Sequence, residues 1–241
     1  MSKPELIAHR GYARHYPENT LAAVEAALQV GARAVEIDVQ LSRDRVPFLM
    51  HDRTLERMCG VPGSIGELLA VEVEQLRAAE SARFGERFAA EPVASLARFV
   101  ELVARHDGVH AFVELKRASL ERFGPDAVLD AVVPRLEPLA QRCTLISFDV
   151  QVLQRARQRF PLRIGPVLIS WGQYADGQLA PLSPDIVFCD LDKLPAQGAL
   201  PTRIPLAVYE VDDAVVARAL AARGVRFVET FAIGELQREL A

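Results

Sequence analysis

His9-Arg10-Gly11, Glu36-Ile37-Asp38, His51-Asp52 and Glu114-Leu115-Lys116 each stand at the end of a short apolar run in this chain. Imidazoles exchange protons near neutral pH. Guanidinium and ammonium groups neutralise charge that builds on phosphoryl oxygens. Carboxylates brought together repel one another and are costly to desolvate unless a cation joins them. An all-oxygen set suits Mg²⁺ or Ca²⁺ better than zinc. The combination points to metal-assisted chemistry on a phosphate ester.

Such groups need elements that aim them at one point. Glu36 and Asp38 are two apart in the alternating run 34–39, so both side chains face one way, roughly 6.5–7 Å apart. The polar turn Ser42-Arg43-Asp44-Arg45 leads into Val46-Pro47-Phe48-Leu49-Met50, which predicts a hairpin. A turn centred near Asp44 puts Asp38 opposite His51, on a strand about 4.8 Å away. One face then carries Glu36, Asp38 and His51, and a one-residue slip scatters them. Glu114 and Lys116 form a second i, i+2 pair after the apolar run 111–113.

The remaining chain alternates strand and helix patterns. Residues 6–8 form the first apolar run; Asn19-Thr20 offers an N-cap to a helix through Leu21, Val24 and Leu28 that stops at Gly31. Further strands are expected at 144–146, 164–169, 186–188, 206–209 and 227–229. Helices are expected at 96–103, 127–139 (interrupted by Pro134 and Pro138), 152–160 and 215–222. Counting the hairpin once gives eight strand positions, most followed by helix, which favours a (β/α)8 TIM barrel over a doubly wound sheet. Residues 1–241 read as a single barrel domain, with 53–94 as a small insertion over the barrel mouth after the second strand's hairpin. In this architecture the C-terminal ends of the strands form the rim where chemistry sits.

Composition narrows the function classes. The 241 residues are 50% hydrophobic and 25% charged, ordinary values for a chain with a sizeable core. A net charge of −4 and a pI near 5.8 give no electrostatic reason to expect nucleic acid or an anionic membrane as partner. No apolar run approaches the roughly 18 residues of a spanning helix. The start, Met-Ser-Lys-Pro-Glu, has no secretory pattern, and Cys59, Cys143 and Cys189 have no pairing motif, so a cytoplasmic location is expected. No Walker A or dinucleotide fingerprint is present. The partner expected is a small phosphodiester.

The same residues, taken in order, resemble the motifs of glycerophosphodiester phosphodiesterases: His9-Arg10-Gly11, Pro17-Glu18-Asn19-Thr20, Glu36-Ile37-Asp38-Val39, His51-Asp52 and Glu114-Leu115-Lys116. Leu55, Arg57, Gly60 and Ser147-Phe148-Asp149 extend the likeness over nearly the whole chain. The resemblance implies a barrel in which Glu36, Asp38 and Glu114 bind the divalent cation. It further implies His9 and His51 as general acid and base, with Arg10 and Lys116 on the phosphate oxygens. The neighbouring glycerol hydroxyl would attack, giving a cyclic phosphate that water opens.

The C-terminal third departs from that pattern. Tyr209-Glu210-Val211-Asp212 stands where the family commonly has Trp-Thr-Val-Asn on the seventh strand, and Thr230-Phe231-Ala232-Ile233 replaces a final Thr-Asp-x-Pro. Glu229 occupies a position that is usually apolar. By resemblance Tyr209 faces the mouth and contacts the alcohol half of the substrate. Strand alternation then turns Glu210 toward the helix layer or rim, near Arg203 or Arg226, and Asp212 is expected to cap the next helix. Two alternatives share these residues: a related enzyme acting on lysolipid or other alkyl phosphodiesters, and a non-catalytic barrel that binds a metal or phosphate. The pair His9 and His51 disfavours the second, since binding alone needs no proton shuttles.

Overall fold

The computed structural model describes residues 3–200 and 203–241; Met1 and Ser2 of the N-terminal run lie outside them. Its strands are β1 (Glu5–His9), β2 (Ala34–Leu41), β3 (Pro47–Leu49), β4 (His110–Leu115), β5 (Cys143–Ser147), β6 (Arg163–Pro166), β7 (Val187–Asp190), β8 (Leu206–Tyr209) and β9 (Phe227–Thr230). All but β3 follow the parallel order β6-β5-β4-β2-β1-β9-β8-β7. A Val167–Phe188 bridge and a 2.8 Å bond from Leu168 N–H to Phe188 O join the two ends. The eight parallel strands with their outer helices form the expected TIM barrel. Every residue of β2 is buried, because a barrel strand is covered by core on one side and by helices on the other.

Between the two mouths the barrel is filled by Ile7, Phe112, Ile146, Ile186 and Phe188. The Phe112 ring meets Phe188 edge-on at 5.3 Å and Phe227 at 6.3 Å. Helices start where short polar side chains accept orphan N–H groups: Thr20 for Leu21–Gln29, Ser95 for Leu96–Ala104, and Asp149 for Val150–Arg159. The expected 127–139 helix begins earlier, with Pro125 in its first turn, and gives way at Val133 to a 3₁₀ stretch running to Arg142. Pro134 and Pro138 lack the N–H that an α-helix needs there. Two further helices, Arg117–Phe123 and Ile233–Leu240, add to those the sequence pattern predicts. Asp213, not Asp212, caps Ala214–Ala222; Asp212 instead accepts from the Thr230 hydroxyl at 2.6 Å and Phe231 N–H at 3.0 Å.

β3 pairs antiparallel to β2 through Val39–Leu49, Gln40–Phe48 and Leu41–Pro47. Met50 therefore lies opposite Asp38, donating to its carbonyl at 3.0 Å, and the expected Asp38–His51 pairing is out by one. The observed pairs are symmetric about Asp44 itself, whereas an Asp38–His51 pair needs a turn centred between Asp44 and Arg45. Ser42 Oγ takes the Val46 N–H at 2.9 Å and Arg45 adopts a φ of 64° in closing this turn. His51 falls beyond the strand, so pairing no longer sets its direction. Gln40 does, by donating Nε2–H to the carbonyls of Met50, His51 and Asp52.

Residues 53–94 hold short helices (Glu56–Cys59, Ala70–Val73, Ser81–Phe84) and a 3₁₀ turn at Ile65–Glu67. Their apolar side chains Leu55, Met58, Ile65 and Val73 gather round Phe48 and Met50 of the hairpin. Among the described residues no helix is long and apolar enough to cross a membrane.

Candidate active site

A cavity of about 350 Å³ opens at the C-terminal ends of the strands, and His9, Arg10, Glu36, His51, Glu114 and Lys116 all line it. β1 ends at His9, and the chain turns sharply through Arg10 and Gly11, with φ values of 57° and 84°. A side chain at Gly11 would sit 2.6 Å from the Ala23 carbonyl carbon, so only glycine lets this turn pack on the first helix. The turn sends Arg10 back over the site. Its N–H reaches Glu36 Oε2 at 3.2 Å, Nη1 donates to Glu18 Oε1 at 3.1 Å, and Nε lies 3.2 Å from Asp38 Oδ2.

Glu36 and Asp38 both face the barrel interior, as alternation requires. Asn19 holds Asp38 twice, donating from Nδ2 at 2.8 Å and accepting its N–H at 3.0 Å. The Pro17-Glu18-Asn19-Thr20 motif thus has a physical reading: Glu18 grips Arg10, Asn19 grips Asp38, and Thr20 caps the helix. The β2–β4 register sets Asp38 beside Glu114. Lys116 Nζ bridges them, 3.1 Å from Asp38 Oδ1 and 2.9 Å from Glu114 Oε1. Donor oxygens of Glu36, Asp38 and Glu114 all lie within 4.8 Å of one another.

These buried charges reshape each other's protonation. Burial and the negative charge of Asp38 push Glu36 well above the usual carboxylate range. The same two causes push Glu114 up to about 7, outweighing its own ion pair with Lys116. For Asp38 burial acts upward too, but Lys116 and Arg10 outweigh it and hold the carboxyl far below its ordinary value. Repelling oxygens at this spacing are what a hard divalent cation relieves, so the residues fit one.

The imidazoles are held differently. His9 stacks on Phe231 with ring centres 4.6 Å apart, and its Nε2 is 3.8 Å from Glu36 Oε2. Burial, then Arg10, pushes His9 well below its ordinary value, so it is neutral. His51 contacts Asp52 through Nδ1 at 2.9 Å. Burial works to raise Asp52, yet hydrogen bonds from Arg57 and His51 outweigh it and hold the carboxyl at about 2. An ionised Asp52 only accepts, so His51 Nδ1 carries a proton towards it and Nε2 is the nitrogen left to exchange one with a substrate. Arg57 also donates to Glu18 at 2.6 Å and Glu80 at 3.1 Å, fastening residues 53–94 to the rim.

Three carboxylates join the site beyond the expected set. Glu210 lines the cavity, its Oε1 3.9 Å from His9 Nδ1, and neither Arg203 nor Arg226 meets it; Arg226 pairs with Glu5. The expected outward facing fails because β8 ends at Tyr209, where alternation ceases to apply. Tyr209 lines the cavity as expected, with its ring 6.4 Å from that of His9. Asp190 also lines it, paired with Lys193 at 3.4 Å. Glu229 is buried on β9, and among the described residues its Oε1 has no hydrogen-bond partner. Donor atoms of His9, Glu36 and Glu229 lie within 4.8 Å of one another. A carboxylate closing an apolar run, like Glu36 and Glu114, is the pattern that marks Glu229 in the sequence.

A model described as the glycerophosphoryl diester phosphodiesterase family matches residues 9–228. The chain belongs to that family. It is 31% identical over 164 residues to a glycerophosphodiester phosphodiesterase of Caldanaerobacter subterraneus subsp. tengcongensis, covering 68% of this chain and 66% of that protein. It is 32% identical over 152 residues to glycerophosphodiester phosphodiesterase 1 of Mus musculus, covering 63% of this chain and 45% of the mouse protein. The chain therefore matches only about half to two thirds of the length of these relatives. Among solved structures, a glycerophosphodiester phosphodiesterase from Agrobacterium tumefaciens superposes with a TM-score of 0.77 at 27% identity, over 98% of this chain and 99% of that one. An Oleispira antarctica phosphodiesterase in complex with the product sn-glycerol-3-phosphate gives 0.83 at 24% identity, over 98% and 96%; at that identity the likeness speaks for the fold.

Proposed function

We propose that this family member hydrolyses glycerophosphodiesters to glycerol 3-phosphate and an alcohol. Glu36, Asp38 and Glu114 hold a divalent cation, and His9 and His51 transfer the protons. One observation carries the reading: a single cavity gathers both imidazoles, Arg10, Lys116 and buried carboxylates at the barrel's C-terminal mouth. A cation held there supplies charge neutralisation at a non-bridging phosphoryl oxygen. Lys116 has three donors and spends two on Asp38 and Glu114, which leaves one for the phosphate. Arg10 is anchored through Nη1 on Glu18 and through Nε beside Asp38, which leaves Nη2 for the phosphate. His9, kept neutral, suits the taking of a proton from the attacking hydroxyl, and His51, which lines the same cavity, suits the giving of one to the leaving alkoxide. Residues 1–241 act as one domain, with 53–94 steadying His51-Asp52 through Arg57. Three free cysteines accord with a reducing cytoplasm.

The test is a panel of glycerophosphodiesters, with lysolipids alongside, assayed for glycerol 3-phosphate. Release from the glycerophosphodiesters supports the proposal. Turnover of lysolipids alone would move the activity to the related alkyl phosphodiesters. No turnover of either, with cation present, would leave only a binding barrel.

Substrate choice gives a second expectation. Tyr209 and Glu210 both line the cavity, so each is in reach of the alcohol half. Tyr209→Ala should raise KM several-fold across the panel by removing an apolar wall. Glu210→Gln should cost cationic alcohols such as choline about tenfold relative to glycerol, a partly screened charge-charge effect of little more than 1 kcal/mol. Equal changes for charged and neutral alcohols would show that Glu210 does not read the charge of the alcohol.

A further inference from the structure

We propose that the opposite, N-terminal mouth of the barrel is a second binding site, for an organic anion that carries a flat apolar body. A cavity of about 510 Å³ opens there, where the strands begin, and the ring layer of Phe112 and Phe188 separates it from the mouth described above. Its volume lies within the range of small-molecule sites.

The charge on its wall is unbalanced. Arg33 leads into β2, His110 opens β4 and Arg163 opens β6. The register sets Ala34 beside His110 and Thr144 beside Arg163, so these groups follow one arc of the rim. His110 Nε2 and Thr144 Oγ1, 2.8 Å apart, lie between the two arginines. The two carboxylates lining the cavity are engaged by other groups. Glu5 takes Arg226 at 2.9 Å, and Asp185 takes Arg157 at 2.8 Å together with Ile164 N–H at 2.9 Å. Among the described residues, Arg33 and Arg163 have no carboxylate oxygen within 4.0 Å. Residues at the base of such barrels ordinarily serve stability, and stabilising arginines are paired. Here they remain available, in a chain of net charge −4.

The positive field is felt inside the cavity. Burial, then Arg163 and Arg142, pushes His110 down to about 4, so its imidazole is neutral. A planar guanidinium fork matches a pair of oxygens on a phosphate or carboxylate, and two such forks stand on this rim. The floor is of another kind: Phe112 and Phe227 lie 6.3 Å apart, and the His110 ring is 4.7 Å from Phe112. A cationic arc above an aromatic floor selects an aryl phosphate or aryl carboxylate over a bare inorganic anion.

Phenyl phosphate is the probe, titrated calorimetrically and by NMR of the histidine rings while saturating glycerol 3-phosphate occupies the catalytic mouth. The expected result is binding that shifts the His110 ring signals and weakens at least about tenfold in Arg33→Ser/Arg163→Ser, with turnover unchanged. Inorganic phosphate should bind more weakly, and benzyl alcohol should leave His110 unmoved. The proposal is overturned if His110 does not respond in the wild-type protein, a readout that does not depend on the variant folding. Equal affinity for inorganic phosphate would overturn it too, as would an affinity indifferent to loss of both arginines.

Discussion

Chelation should abolish turnover, and Mg²⁺ or Ca²⁺ should restore it. Besides Glu18, which Arg57 also holds, four buried carboxylates (Glu36, Asp38, Glu114 and Glu229) face two fixed cations, Arg10 and Lys116. Without added positive charge the excess is relieved only by protons, which is why burial and mutual repulsion push Glu36 and Glu229 well above the usual carboxylate range. Cation and protons therefore compete. A ligating carboxyl must be ionised, so affinity should strengthen as pH rises through about 7, where burial and Asp38 have placed Glu114. Glu36→Gln keeps the shape, removes one charge and should weaken cation binding at least about tenfold by calorimetry. Its melting temperature should hardly fall, since ionised Glu36 is itself unfavourable in the cation-free site. Asp38→Asn is the contrasting case. Lys116 and Arg10 both lean on Asp38, so its loss strips each buried cation of one of its two carboxylate partners and should lower stability, by at most the roughly 3–5 kcal/mol of a broken buried ion pair. Full activity in excess EDTA would sink the cation assignment, whatever the melting data showed.

How much of this site is legible in the sequence depends on what fixes each side chain. His9, Glu36, Asp38, Glu114 and Lys116 end apolar runs, and in a parallel barrel all such ends meet at one mouth. Position along a strand therefore suffices to bring them together. Register is harder, because it rests on the turn. The β2–β3 pairs are symmetric about Asp44, so Met50 and not His51 faces Asp38; a shift of the turn's centre by half a residue separates the two, and the polar run Ser42–Arg45 does not decide between them. His51 still reaches the cavity, but through Gln40 and Asp52 rather than through pairing. Glu210 illustrates the same limit, since alternation applies only within a strand and β8 stops one residue before it. Phe231 and Glu229 stand out in the sequence as departures from the family pattern; what the fold adds is that the first stacks on His9 and the second lies beside Glu36. The Arg57 fan to Asp52, Glu18 and Glu80 joins groups far apart in the chain, and no local pattern encodes it.

Removing either imidazole should lower kcat by roughly 10²-fold or more, the scale of a lost acid or base. His9→Ala and His51→Ala are not equivalent in other respects. His9 is buried, stacked on Phe231, and lies 3.8 Å from Glu36. Its loss opens a cavity and should also disturb cation affinity modestly. His9→Gln, closer in volume, separates the proton-transfer effect from the packing effect. His51 is partly exposed and touches the cation cluster through no hydrogen bond, so His51→Ala should leave cation affinity and melting temperature near wild type. The sign of the pH effect follows from His9, which burial and Arg10 hold well below its ordinary value. As the proton acceptor it is active when neutral, so kcat should fall on the acid side as it takes a proton. That acid limb should vanish in His9→Gln, leaving only the limb that belongs to the donor. A near wild-type kcat in His51→Ala would make His51 a structural partner of Asp52, and the proton for the leaving alkoxide would then have to come from elsewhere. Asp52→Asn separates these cases. It removes the ionised acceptor that fixes the His51 tautomer, so it should lower kcat only if His51 transfers the proton, while cation affinity stays unchanged.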